Sequence, residues 1–501
     1  MTMATNNTFR ALVWMLPVPS LFGAAHLAAM FGWAARPVFL WTDVLIYLLA
    51  FAVSVAGWGM SGQEHLRDPW RQVRRSKMGM ASVVILATYA AVAVVDSVHF
   101  RMPLEQRAAS GEVQFASETL SLLDVAVTTL REQGEKTYSS PLAAYQFEKE
   151  TVELAAGARE RVFPRLKFGG AHLHQPDAEM ASDVVATAAR GVGAAMLIWL
   201  VGVMLLIAVL TTAEVGWAST AARLLRGQFD TPWRTVLATG GVIVLGVGVT
   251  AALAMKYHVL GTDKVGGDVL YQSLKSVRTG LVIGTLTTLI MLPFAVLLGV
   301  AAGYFKGWID DVIQYMYTTL NSIPGVLLIA AAVLMLQVYM ANHPELFETD
   351  AERADVRLFF LCVILGITSW TGLCRLLRGE TLKLRELDYV QAARAFGTSH
   401  WRVLMRHVIP NVMHIVLISV VLDFSGLVLA EAVLSYVGVG VDPSMHSWGN
   451  MINSARLEMA REPMVWWSLT AAFAFMFVLV LAANLFADVV RDAFDPRIRK
   501  Q

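Results

Sequence analysis

Runs of about twenty apolar residues, parted by short polar turns, recur along nearly the whole chain, and each is long enough to cross a bilayer core as an α-helix. Ten such runs predict spans near residues 11–33, 38–60, 78–95, 191–213, 235–255, 277–303, 312–339, 357–374, 412–437 and 465–487. One polar stretch, 96–190, interrupts them. Within it "FASETLSLLDVAVTTLREQ" and "SPLAAYQFEKETVELAAGARERV" carry apolar residues at three- and four-residue spacing, and Ser140-Pro141 fits an N-cap followed by a first-turn proline. The expected fold is all-α: a polytopic integral membrane protein of about ten transmembrane helices with a small helical extracytoplasmic domain. The first run, "FRALVWMLPVPSLFGAAHLAAMFGWAARP", has the parts of a signal peptide. Its apolar core is long, its positive region is thin and a second run follows closely, so it reads as a retained helix.

Composition agrees with a bilayer as solvent. Of 501 residues 56% are hydrophobic and only 16% charged, where a soluble domain carries about a quarter. The net charge of +1 identifies no partner, but the distribution of Lys and Arg predicts an orientation. With both termini cytoplasmic, cytoplasmic segments hold 21 Lys and Arg against nine in the short outer loops, as the positive-inside rule requires. Arg71, Arg74, Arg75 and Lys77 then lie at the headgroup surface, facing membrane lipid. Cys362 and Cys374 are the only cysteines; twelve positions along one helix separate them by about 18 Å, too far for a bridge. The chain divides into an N-terminal hairpin and basic segment (1–77), additional spans with the insert (78–255), and a denser membrane unit (256–501).

Catalytic signatures are missing. The dipeptide Gly-Lys, which closes a P-loop, does not occur, nor does His-Glu-x-x-His. "GVGVD" at 438–442 superficially resembles the Gly-x-Gly-Asp of intramembrane aspartyl proteases, but an extra Val displaces Asp442 to a loop entry. His172, His174, Asp177 and Glu179 could gather a divalent metal on an outer surface, although His-x-His in a Gly/Pro loop reads more simply as solvated, and no metal site is assigned. Intramembrane acids are costly and kept for function. Asp423 and Glu431 are the deep ones, eight positions apart and so roughly on one helical face, while Asp43 sits near the outer end of its run. In "TTLNSIPG", Pro324 removes a helical hydrogen bond, Gly325 loosens the turn, and Asn321 and Ser322 can satisfy freed backbone groups. These residues predict a kink along a translocation path or a purely structural one.

The stretch "DYVQAARAFGTSHWRVLMRHVIP", 388–410, is the oddest in the chain: three arginines, two histidines and a central Gly397 set between hydrophobic spans. It reads as two short helices around a Gly-Thr-Ser joint, with Gly397 making the turn, Ser399 the second N-cap and Pro410 the end of the second helix. Such a hairpin fits a groove in another protein, or lies on lipid.

"DYVQAARAFG…HVIPN" resembles the EAA loop of ABC-importer permeases. With "LGTDKVGGDVLYQSLKSVRTGLVIGTL", "GVAAGYFKGWIDDVIQYMYTTLNSIPGVLL", "LAEAVLSYVGVGVDPSMHSWGNMI" and "VVRDAFDPRIR", residues 260–500 resemble the C-type permease of dipeptide, oligopeptide and nickel importers. The resemblance implies that Asp388, Gln391, Ala392, Ala393, Arg394, Gly397, Arg402 and Pro410 form a loop coupled to an ATPase. It also implies as partners a second permease subunit, two ABC ATPase subunits carrying ATP and Mg, and an extracytoplasmic solute-binding protein, with no nucleic acid and no cofactor in this chain. The expected location is the bacterial inner membrane, and the expected cargo short peptides or, less commonly, nickel chelates. Two departures stand out: Gln391 replaces the loop's usual acid, and Gly266-Gly267-Asp268 stands where the family commonly has Gly-Arg-Asp. Length is a third, since family members lack the N-terminal hairpin, the insert and two of the spans. A gradient-driven carrier using Asp423 and Glu431, and a receptor or scaffold built on the insert, remain alternatives.

Overall fold

A computed structural model describes residues 36–60, 64–107, 113–153, 159–211, 216–347 and 349–494. The first predicted span, 11–33, lies outside these. The second is occupied by helix α1 (Trp41–Met60). Among the described residues eight helical runs are long and apolar enough to cross a membrane: Lys77–Asp96 (α3), Pro176–Leu210 (α6), Trp233–Ala254 (α8), Val269–Phe305 (α9), Gly325–Asn342 (α11), Asp350–Arg385, His400–Val437 and Trp467–Phe494 (α18). Short amphipathic helices join them: α2 (Glu64–Arg75) precedes α3, and α7 (Trp217–Arg226) links α6 to α8. Polar caps set several boundaries. Ser76 accepts the Gly79 N–H ahead of α3, and Asp268 accepts the Tyr271 N–H at the head of α9.

α9 is the axis of the bundle. Its 37 residues reach about 55 Å, and its length is buried against α3, against α12 (Asp350–Ser369) and α13 (Thr371–Arg385), and against α16 (Ile409–Val437). Gly299 and Gly303 bring α13 close: a Cβ at either position would lie 2.7 Å from a carbonyl oxygen of Cys374 or Arg378. α6 and α8 form an outlying pair, joined where Gly191 meets Gly248, and they expose Leu197, Ile198, Leu205 and Val242 as lipid-facing surface.

The predicted span 312–339 is divided. α10 (Trp308–Ser322) stops at Ile323, which takes an extended conformation ahead of Pro324, and α11 starts at Gly325. Only the second part is apolar enough to cross.

The insert differs from the helices expected in it. Leu122–Ala126 (α4) and Thr128–Glu132 (α5) are helical, but "ETVE" and "RERV" pair as antiparallel strands, Glu150–Glu153 (β6) with Arg159–Val162 (β7). Helical spacing there competes with cross-strand partners, and Thr151 opposite Arg161 is one of them. Further strands are β1 (Arg36–Val38), β2 (His99–Arg101), β3 (Pro103–Arg107), β4 (Val113–Phe115) and β5 (Leu120–Ser121), in sheets β1-β2-β5 and β3-β4. Ser140-Pro141 begins a turn rather than a helix, with Leu142 at φ 56° and the Ala143 N–H on the Ser140 carbonyl. α6 already begins at Pro176, inside the polar stretch, so the folded insert is shorter than polarity marked it.

Candidate functional site

The hairpin lies at one end of α9 and the insert at the other. α14 (Asp388–Ala395) closes with the Gly397 N–H on the Arg394 carbonyl and the Thr398 N–H on the Ala393 carbonyl, and Gly397 holds φ 76°, where a side chain is disfavoured. Ser399 takes the N-cap position of α15 (His400–Val403) but its hydroxyl makes no cap bond. Pro410 does not end the second helix as expected. A π turn at Leu404–Val408 leads directly into α16, so Pro410 lies inside a continuous helical run and the widened turn ahead of it accommodates the ring and the missing N–H. Hairpin and span are therefore one continuous rod.

The hairpin has two faces. Val390, Val403, Leu404 and Val408 are buried with Leu373 and Leu377 of α13 and Val300 of α9, and Ala393 is half-buried beside them. Gln391, Ala392, Arg394, Gly397 and Arg402 face outward, with Phe396 88% and Trp401 64% exposed. Asp388 is exposed in the first turn of α14, where its charge favours the helix. An open concavity of about 620 Å³ lies between Arg385, Glu386, Gln391, Arg394, Thr398 and His400. Its corner explains the missing acid: the Gln391 amide donates to the Glu386 carbonyl at 3.1 Å and lies 3.5 Å from the Glu386 carboxylate, where a Glu would add a like charge. A hydrogen bond from Lys306 holds the Glu386 carboxyl below its ordinary range.

Of the residues predicted to form a kink, Asn321 accepts from Thr371 Oγ1 at 3.0 Å, and the Ser322 hydroxyl turns back to the Thr319 carbonyl. Asn321, Ser322, Pro324 and Gly325 all lie exposed on the protein surface at the break. Asp423 and Glu431 have different surroundings. Glu431 is 2% exposed, accepts from Ser435 Oγ at 2.7 Å and abuts Gly449, whereas Asp423 is half-buried. Asp442 pairs with Arg357 at 3.1 Å.

At the opposite end the structure assembles charges that the sequence left scattered. Arg278 on α9 donates to Asp43 and to Thr42 of α1, and Asp43 also holds His99 at 2.7 Å. Asp355 of α12 accepts the Thr42 N–H at 3.1 Å. One turn earlier on α9, Lys275 reaches Asp96 at 2.6 Å and Asp124 at 3.1 Å. Lys275 and Arg278, three positions apart at the head of an apolar run, were the available signal. The insert seats on the loop before α9. Buried His258 lies 2.8 Å from Asp268 and 3.4 Å from Glu135, whose carboxylate also accepts the N–H groups of Lys167, Phe168 and Gly169. Burial opposes the charged imidazole, but its two carboxylate neighbours raise His258 to about 9. Burial would likewise raise Glu135, yet His258 and the three N–H groups hold it at about 2. Gly266 has a local reason: at φ 78° its missing Cβ would fall on the Glu135 carbonyl.

His172 binds Asp183 at 2.9 Å, while Glu179 accepts the His174 backbone N–H. Among the described residues no three His, Cys, Asp or Glu side chains are placed to share a metal ion.

A bundle of spanning helices with a two-faced hairpin continued into one of them defines a polytopic membrane protein. The profile of the family described as "Binding-protein-dependent transport system inner membrane component" matches residues 295–500. The chain is 33% identical over 242 residues to a glutathione transport system permease protein of Pectobacterium atrosepticum, covering 48% of this chain and 73% of that protein. It is 31% identical over 242 residues to an oligopeptide transport system permease protein of Mycobacterium tuberculosis (48% and 77%). Over 243 residues it is 29% identical to a dipeptide transport system permease protein of Bacillus subtilis (48% and 70%). The chain belongs to this family of membrane permease components of binding-protein-dependent transport systems, which are not themselves the ATPase. α1 to α8 and the insert precede the matched residues.

Proposed function

We propose that the chain is the permease subunit of an ATP-driven importer that moves short peptides or related small solutes. The names of the glutathione, oligopeptide and dipeptide relatives support that cargo class. In this reading the hairpin end is cytoplasmic, as are both termini, and the hairpin's exposed face seats in an ATPase subunit. The partners are a second permease, two ATPases carrying ATP and Mg, and a solute-binding protein at the insert end. The observation that carries it is the hairpin itself. Phe396 and Trp401 stand exposed around Ala392 and Gly397, while the opposite face is buried and continues into α16 without a break. A docked ATPase that covers this face removes apolar surface from water, and any displacement passes along a rigid helix.

The test is recovery of the complex from native membranes through a C-terminal tag after gentle solubilisation. A second permease and ATPases in stoichiometric amounts are the expected result. A chain recovered alone, intact and monodisperse, would sink the importer reading.

A further inference from the structure

We propose that Tyr304, at the hairpin end of α9, is a positioning residue that locks the hairpin, α13 and α10 into one mechanical unit, so that force on the hairpin is delivered to the break at Ile323–Pro324. The proposal rests on the importer reading of the hairpin.

Tyr304 is 3% exposed, yet three separate elements bear on it. Its hydroxyl is 2.9 Å from His400 Nδ1 on α15, the Arg394 guanidinium of α14 lies 6.0 Å from its ring, and its carbonyl accepts from Arg385 at the end of α13 at 2.7 Å. A residue needed only to fill space would do as well without the hydroxyl. A buried hydroxyl has to keep its partner, so the His400 contact is held as the hairpin moves. Both helices of the hairpin are thus tied to the end of α9 at a single side chain.

From α13 the connection passes to α10 through three antiparallel rungs. Arg378 grips Asp310 with both nitrogens at 2.6 and 2.7 Å, Arg375 lies over the Tyr317 ring at 5.4 Å, and Thr371 donates to Asn321 at 3.0 Å. The rungs stop just before the break. Hydrophobic packing changes at the same place. Ile313 and Tyr317 of α10 belong to the cluster that buries Tyr304, Val390 and Val403. Ile329 and Val333 of α11 belong to a different one, with Leu358, Leu361 and Leu365 of α12. Two packed bodies therefore meet at a segment with an extended residue, a proline lacking its N–H and exposed neighbours, which are the features of a hinge.

The experiment uses the whole complex recovered as above, with Cys362→Ala and Cys374→Ala as background. Spin-label pairs are placed at exposed sites, Met405→Cys with Tyr315→Cys to span hairpin and α10, and Tyr315→Cys with Met335→Cys to span the break. Distances are read without nucleotide and after trapping with ATP and vanadate. The hairpin-to-α10 distance is expected to stay constant while the distance across the break shifts, and Tyr304→Phe is expected to make the first distance depend on nucleotide. A constant distance across the break, or a changing hairpin-to-α10 distance in the protein that keeps Tyr304, would overturn the proposal. So would a folded Tyr304→Phe variant that behaves like its parent. If no ATPase co-purifies, the importer reading falls and this proposal with it; if ATPases co-purify and the break does not move, this proposal falls alone.

Discussion

Arg278 and Asp43 are 235 positions apart in the chain and meet as a buried ion pair, Nε to Oδ1 at 3.1 Å, that fastens α1 to the axial helix. The pair lies in a network with Thr42, His99 and Asp355. It joins a helix that precedes the residues matched by the family to one of the most buried elements of the bundle.

Removing one member of such a pair leaves the other charge buried, at a cost of about 3–5 kcal/mol. Arg278→Met takes the guanidinium from both Asp43 and Asp355, leaving them His99 and Thr42 respectively, and is expected to lower the melting temperature in detergent sharply. Asp43→Asn leaves Arg278 with Asp355 at 3.7 Å and is expected to cost less. The double variant Asp43→Asn with Arg278→Gln should regain part of the loss. Equal, small effects from the three would show that α1 is held by packing alone.

Gly266 governs the seat of the insert. A methyl group there collides with the Glu135 carbonyl and forces a left-handed conformation that costs about 1 kcal/mol even in open space. Gly266→Ala is expected to free the insert, giving faster protease cleavage within it while the fragments from α9 to α18 stay intact. Gly134→Ala, where a Cβ would meet nothing, serves as the control in the same region.

The same seat predicts a pH response. His258 is raised from 6.5 to about 9, so its contribution is complete below about pH 6.5 and is lost as pH rises through about 9. Glu135 is lowered from 4.5 to about 2, so its contribution is present above about pH 4.5 and is lost as pH falls through about 2. The junction should be tightest between those unfolded-state values and should loosen towards alkaline pH. Hydrogen exchange of the Lys167, Phe168 and Gly169 amides at about pH 6 and about pH 10, corrected for intrinsic rates, reads this directly. His258→Gln should flatten the alkaline limb, and an unchanged pH profile in that variant would show that another group is responsible.

The eight spans among the described residues were legible because each is a long apolar run that only a helix can bury in lipid, and the turn at Gly397 and the break at Pro324 because backbone chemistry announces both. Pro410 was misread since a proline taken up by a π turn inside a helix and one that stops a helix look alike until the residues on both sides are seen to be helical. The insert was misread over 140–153 and 159–162 because spacing cannot tell an amphipathic helix from turns and strands whose partners are supplied by register. Arg278, Lys275 and His258 could be noticed as charges but not as pairs. Their partners on α1, α3 and the insert are set by tertiary contact, and Gly266 reads as a lost arginine-site neighbour until Glu135 is placed against it.

Gly397 gives the sharpest test of the hairpin. Its φ of 76° demands a left-handed residue, but nothing lies within 4 Å of where a Cβ would stand, so a substitution there acts through the backbone and not through a clash. Asn tolerates that conformation better than Ala, and β-branched Val worse than either. The expected order of ATPase recovered with the tagged chain is therefore glycine, then Gly397→Asn, Gly397→Ala and Gly397→Val. The amount of permease in the membrane should be equal in all four, because the spans and the buried Val390–Val403 face are untouched. If Gly397→Ala and Gly397→Val retained the ATPases as well as Gly397→Asn does, the turn geometry would not matter for docking. The exposed residues Phe396 and Trp401 would then have to carry the contact without a fixed angle between α14 and α15.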